Sequence, residues 1–155
     1  MVKSSLYIRD LRPDDGDLID QALALYQASF PIEELDPLEG VRRSITRNAA
    51  RQPGQDFHHF QVMLDGERIL GIAIFGFYRT TGMGFIAYLA IDAQMRNNGW
   101  GGYLYQKIGE QVQQDSIVLG VPALGLTHEV ERPEEGQNQQ EVELRKRRIG
   151  FYQRC

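Results

Sequence analysis

FIAYLAIDAQMRNNGWGGYL, residues 85–104, runs an almost wholly apolar stretch through a glycine-containing loop into the start of an amphipathic segment. Phe85 to Ile91 lacks the alternation of a one-sided strand, which predicts a strand covered on both faces and central in its sheet. Leu104, Ile108 and Val112 recur every fourth residue, which predicts a helix ending near Asp115. Between them lie Gly99, Trp100, Gly101 and Gly102, at the point where a helix presents unpaired backbone N–H groups and the positive end of its dipole. Glycine lets an anion approach such amides closely, and a side chain at Gly99 or Gly101 would obstruct it. The pattern suits a phosphate site; the same glycines also suit a turn that only tightens strand-to-helix packing. Neither Gly-x-Gly-x-x-Gly nor Gly-Lys-Ser/Thr is present, so the dinucleotide and ATP loops fit less well.

Upstream, Phe60, Val62 and Leu64 alternate with Gln61 and Met63. Asp65-Gly66 then supplies a tight turn, and Arg68 to Tyr78 continues as a long strand. Earlier still, Ser5 to Arg9 reads as a short half-buried strand. Pro13 to Asp17 starts a helix whose stripe runs through Leu18, Ile19, Ala22, Leu23, Leu25, Tyr26 and Phe30 until Pro31 ends it. A second helix starts near Pro37, with Leu38, Val41 and Ile45 inward. Downstream, Ala123 to Val130 is a strand, the polar run from Glu131 to Gln140 is a connection, and Gln140 to Arg154 is a final helix. The order predicts an α/β (α+β) fold: a mixed, mostly antiparallel central sheet flanked by helices on both faces.

With 155 residues, 42% of them hydrophobic and 25% charged, the chain is expected to form one globular domain over residues 1–155. Seventeen Lys and Arg against 21 Asp and Glu give a net charge of −4, and no basic run supplies the phosphate-neutralising surface that nucleic acid needs, so no nucleic-acid partner is expected. No stretch reaches the roughly 20 apolar residues of a membrane span, and Met1 to Ser5 lacks the apolar run of a signal peptide. A cytoplasmic protein with no membrane partner is the expectation. Cys155 is the only cysteine. His58 and His59 are adjacent and point to opposite faces of a strand, with His128 far away, so no metal is expected. Arg145 to Arg148 form a solvated helix face that Glu141 and Glu143 can pair with.

Arg96-Asn97-Asn98-Gly99-Trp100-Gly101 fits the pyrophosphate-loop pattern Gln/Arg-x-x-Gly-x-Gly/Ala of the GNAT superfamily, the acetyl-CoA-dependent N-acetyltransferases, and the sequence resembles that family. Phe151-Tyr152-Gln153-Arg154 looks like its last-helix Phe-Tyr-x-Arg segment, and the element order from Leu6 to Cys155 agrees. The resemblance implies acetyl-CoA as co-substrate, with its pyrophosphate on the backbone of Arg96, Asn97, Asn98, Gly99, Trp100, Gly101 and Gly102. Pantetheine would pair along the strand Tyr88 to Ile91, and the thioester would sit where that strand splays from Ala123 to Val130. One arginine of the Arg145–Arg148 run could reach a CoA phosphate. The implied activity is direct transfer of an acetyl group to the primary amine of a small molecule in a ternary complex. A noncatalytic acyl-CoA-binding or regulatory module is the alternative, and a peptide N-terminus is another acceptor class.

An aliphatic amine with a pKa near ~10 is mostly ammonium at neutral pH, so the reaction needs a base. It also needs a donor for the developing oxyanion, which the resemblance assigns to a backbone N–H near Leu89 or Ile91, and a proton donor for the leaving thiolate. Tyr152 matches the family's general acid; the same residue also reads as a boundary aromatic. Glu129, Glu131 and, with Glu33 beside it, Glu34 are the candidate bases; each also reads as a surface charge. The start of the fourth strand, Gly84-Phe85-Ile86, carries no carboxylate, which counts against a histone-type mechanism. The resembled fold continues with two further strands beside Ala123 to Val130. The expectation is therefore a fragment truncated at its C-terminus, or a homodimer in which a neighbouring molecule covers the open strand edge.

Overall fold

The computed structural model describes residues 6–155, so Ser5, expected in the first strand, lies outside the described residues. Asp65-Gly66 turns the chain as its sequence requires, Gly66 taking a φ of +61°. On either side β2 (Phe57–Asp65) and β3 (Arg68–Tyr78) pair antiparallel. β1 (Leu6–Asp10) adds to the outer edge of β2, and β4 (Met83–Ile91) adds antiparallel to β3. β5 (Gly125–His128) joins β4 in parallel, giving the order β1-β2-β3-β4-β5. The crossover between the parallel pair is α3 (Trp100–Leu119). Before the hairpin come α1 (Gly16–Ser29) and α2 (Leu38–Ala49), and α4 (Gln139–Arg154) follows β5.

Period-two alternation divides the core. Phe60, Val62 and Leu64 face α1 and α2, where they meet Ile19, Leu23, Tyr26, Val41 and Ile45. Met63, Phe75, Phe77 and Ile86 face α3, packing on Leu104, Ile108 and Val112. The helices thus cover both faces, as the element order predicts.

β4 is not central: β3 holds that place, and β4 lies one strand from the edge. Its apolar run has another cause. Ile86 is buried away from a cleft, whereas Phe85 and every residue from Ala87 to Ile91 line it. α3 runs past Asp115 because that carboxylate points inward rather than stopping the helix. The helix ends at Gly120 instead, with φ +64° and its N–H donating to the Ile117 carbonyl at 3.2 Å. α4 starts at Asn138, whose side chain accepts the Glu141 N–H at 2.9 Å, while Glu141 accepts the Gln137 N–H at 2.8 Å.

Candidate active site

The cleft opens where two strands part. β4 and β5 pair only from Met83–Gly125 to Ile86–His128, and directly beyond, Ala87 is an extra residue that bends β4 against β3. From Ala87 onward the β5-facing edge of β4 is therefore free. The Asp92 N–H donates to the Leu70 carbonyl at 2.9 Å. By antiparallel alternation Ala90 and Tyr88 also turn their polar groups toward β3, and Leu89 and Ile91 turn theirs away from it. Both residues predicted to offer backbone donors thus present them on the free edge.

At the end of β4, Arg96 folds back so that its Nε donates to the Ile91 carbonyl at 3.1 Å. The loop then takes two left-handed residues, Asn97 at φ +64° and Gly99 at φ +81°. The first α-helical bond in α3 is Tyr103 N–H to Gly99 carbonyl at 3.1 Å, which leaves the amides of Trp100, Gly101 and Gly102 without intrahelical acceptors. Two of the glycines are also required by the fold itself. A Cβ on Gly99 would meet nothing within 4 Å, so glycine is needed there for its φ; a Cβ on Gly101 would come within 2.9 Å of the Phe151 ring, so glycine is needed there for α4 to dock. Gly99→Ala is expected to cost about 1–2 kcal/mol through its backbone and Gly101→Ala about 1–3 kcal/mol through displacement of Phe151, both read from urea unfolding.

The cleft has a volume of about 770 Å³. Of the residues singled out in sequence, Leu89, Ile91, Arg96, Asn97, Gly99, Trp100, Gly101, Gly102, Glu34, Glu129, Glu131 and Tyr152 all line it, as does Glu33. Asn98 does not; its amide turns back to within 3.5 Å of the Met95 carbonyl. Glu129 and Glu131 follow the end of β5 and are exposed.

α4 closes the cleft. Tyr152 stacks on His128 with ring centroids 3.7 Å apart and packs edge-on to Tyr105. Burial pushes its phenol up to about 12, against a smaller opposing pull from the Arg148 charge. Burial alone lowers the His128 imidazole.

The Arg145–Arg148 run is not a uniformly solvated face. Arg145 is buried, with Nη1 donating to the Arg132 carbonyl at 2.9 Å. Arg148 pairs with Glu34, reaches the Ser29 carbonyl at 3.3 Å and lies over the Phe30 ring at 4.8 Å. Lys146 and Arg147 are exposed as expected, with Lys146 at 3.7 Å from Glu143, and Arg145 Nη2 still lies 4.0 Å from Glu141. The reason is angular: Arg145 and Arg148 are three apart and share the face of α4 that meets the α1–α2 connection.

Sequence reading missed Tyr88 and Asp36. Tyr88 places its hydroxyl 2.7 Å from the Glu34 carbonyl oxygen and 3.1 Å from Asp36 Oδ2, which fastens the connection over the cleft. Tyr26 accepts the Asp36 N–H at 2.7 Å on the same seam. The one sequence signal for this was the polar-tipped Tyr88 inside an apolar strand.

The cleft thus lies where a parallel strand pair opens, with the start of α3 at its mouth. A family model for the Acetyltransferase (GNAT) family matches residues 19–131, well over half of the chain, and the chain belongs to that family. Among solved structures it is similar to a Bacteroides thetaiotaomicron protein assigned to the same family, at 22% identity, 96% of this chain, 69% of that one and a TM-score of 0.63. An aminoglycoside acetyltransferase from an uncultured soil metagenomic sample aligns over 99% of this chain and 88% of its own, at 14% identity and a TM-score of 0.63. The ribosomal-protein-S18-alanine N-acetyltransferase of Escherichia coli gives 13% identity, 92% and 75% coverage and a TM-score of 0.58. No curated protein matches by sequence. Among the described residues no helix is long and apolar enough to cross a membrane, and no three His, Cys, Asp or Glu side chains group as metal ligands.

Proposed function

We propose that the chain is a cytoplasmic N-acetyltransferase that moves an acetyl group from acetyl-CoA to the primary amine of a small molecule, by direct attack with both substrates bound. The observation that carries this reading is the division of the cleft. Its α3 end offers the unpaired amides of Trp100, Gly101 and Gly102 beside Arg96, and Arg147 and Arg154 of α4 also line the cleft. Toward the Ile86–Tyr88 part of β4 it offers Glu33 and Asp36, on the connection fastened to Tyr88, and Glu129 and Glu131, which follow the His128 paired with Ile86. A phosphate-tailed molecule suits the first end and a cationic amine the second.

These residues fit CoA. The first-turn amides and glycines of α3 would hold its pyrophosphate, and the free edge of β4 at Leu89 and Ile91 would pair with its amide-containing arm. Bound there, acetyl-CoA supplies an activated acyl carbon. The N–H of Leu89 or Ile91 stabilises the oxygen that gains negative charge, at no cost of reorganisation because the strand already fixes it. Tyr152, protonated through the neutral range, holds a proton at Oη for the leaving sulfur. Glu129 and Glu131, free at the end of β5, are the bases best placed to take the ammonium proton, while Glu34 has one oxygen engaged by Arg148.

Thiol release from acetyl-CoA across a panel of amines tests the assignment; CoA binding with no release from any amine would leave only a binding module. Within that assay, Glu129→Gln or Glu131→Gln should lose about tenfold or more at pH 7 and recover toward pH 9. Over that interval the free-base fraction of an amine with a pKa near ~10 rises by nearly ~100-fold, and an enzyme base becomes dispensable. An equal loss at both pH values would remove these residues from the role.

A further inference from the structure

A second concavity, of about 520 Å³, lies where the C-terminus of α2, the loop over residues 52–56 and the turn after β3 meet. It shares no residue with the cleft. Arg47, Arg51 and Arg79 line it together with His58, and Asp56 is its one carboxylate. Three guanidinium groups thus gather on a chain whose net charge is −4. Arg42 and Arg43, on the exposed side of α2, have Asp20 and Glu39 as ion-pair partners. Among the described residues Arg47, Arg51 and Arg79 have none, and Asp56 Oδ1 accepts the Arg79 backbone N–H at 2.8 Å.

Two of these arginines are held in place by the backbone. Arg51 lies over the Phe57 ring at 3.5 Å and its Nε donates to the Gln55 carbonyl at 3.0 Å. Its Nη2 is shut off from solvent with no hydrogen-bond partner. Arg79 Nη1 donates to the Gly54 carbonyl at 2.8 Å. The Arg51 Nη2 is out of a ligand's reach, so Arg51 contributes charge, and the exposed guanidinium groups of Arg47 and Arg79 contribute the donors that an anionic oxygen satisfies best.

We propose that this depression is a binding site for the phosphate group of a small phosphorylated molecule, separate from the acetyl-transfer cleft. Guanidinium forks match the paired oxygens of a phosphate, and a local excess of positive charge favours a dianion over a monocarboxylate. Further along α2, Arg42 and Arg43 are neutralised by Asp20 and Glu39, so the unpaired positive charge is confined to the three arginines, which sets this site apart from a nucleic-acid surface. His58 completes the lining, and it is held below the usual imidazole range by burial and by the neighbouring Arg47 charge. A phosphate seated beside it would reverse the second effect.

The test follows the His58 ring signals by NMR during addition of inorganic pyrophosphate, since His58 reports this depression and not the cleft. The site predicts a saturable shift, half-complete below about 1 mM, and a His58 titration midpoint that moves up. Arg47→Gln and Arg79→Gln, both exposed positions, should each weaken the effect by about tenfold, the loss of one charge-assisted contact. An unmoved His58, a shift in both variants as large as in the wild type at the same concentration, or the same shift from sulfate at the same concentration would each overturn the site.

Discussion

Tyr152→Phe lowers kcat for acetyl transfer by about 100- to 1,000-fold, the usual yield of one positioned proton donor, while KM for acetyl-CoA stays within a factor of about two. The expectation rests on what the substitution removes. Phenylalanine preserves the stack on His128 at 3.7 Å and the edge contact with Tyr105, so the cleft wall keeps its shape and only Oη is lost. The phenol, pushed up to about 12 by burial, is protonated across the accessible pH range. The wild-type kcat profile should therefore show no alkaline fall from this residue below about pH 11. Steady-state kinetics from pH 6 to pH 10 check both statements. A variant with full turnover would take the donor role away from Tyr152, and one with intact kcat but raised KM would make it a binding residue.

The sheet and the two-sided packing were legible because both rest on local chemistry: Asp65-Gly66 fixes a turn, alternation fixes faces, and the four-residue spacing of Leu104, Ile108 and Val112 fixes a helix stripe. The turn from β4 into α3 was legible for the same reason, as a glycine cluster between a strand and a helix. Element ends were less so. β5 was read from Ala123 to Val130 but pairs only over Gly125–His128, since strand length depends on the partner and β4 bends away at Ala87. What the sequence could not announce was pairing over long separations. Arg148 with Glu34, Tyr88 with Asp36 and His59 with Asp115 each join residues more than fifty positions apart. Read singly, Arg148 and Asp115 are ordinary polar residues of a helix, and nothing in their immediate neighbours says that they turn inward. The apolar character of β4 misled for a related reason, because a strand lining a cleft is as apolar as one covered on both faces.

Asp115→Ala lowers stability by about 3–5 kcal/mol, as loss of one partner from a buried ion pair does, and lowers Tm by roughly 10 °C for a domain of this size. His59 lies on the α3 side of the sheet, 3% exposed, stacked on Phe75 with centroids 4.8 Å apart. Its Nε2 is 2.8 Å from Asp115 Oδ2 and its Nδ1 is 3.0 Å from Asp10 Oδ2. Two carboxylates facing the two ring nitrogens call for two N–H donors, which is the imidazolium. Burial by itself would depress this imidazole; the hydrogen bonds to Asp10 and Asp115 outweigh it and raise the group to about 9. A folded-state value above the ordinary 6.5 means that the stabilisation is fully present below pH 6.5 and is lost as pH rises through about 9. At about 1.4 kcal/mol per pH unit, that interval corresponds to roughly 3 kcal/mol. Gln111 steadies the arrangement, donating to Asp115 Oδ1 at 2.9 Å while accepting from Gln61 at 3.2 Å. Urea unfolding of the wild type should thus weaken between pH 6.5 and pH 9.5, and Asp115→Ala should flatten that dependence as well as lowering the whole curve. The paired change His59→Leu with Asp115→Leu discriminates further, because removing both charges leaves neither one buried alone. It should recover most of the stability that Asp115→Ala loses and show almost no dependence over the same pH range. A double variant as weak as the single one would mean that shape at this seam, and not the buried charge, is what holds β2 to α3.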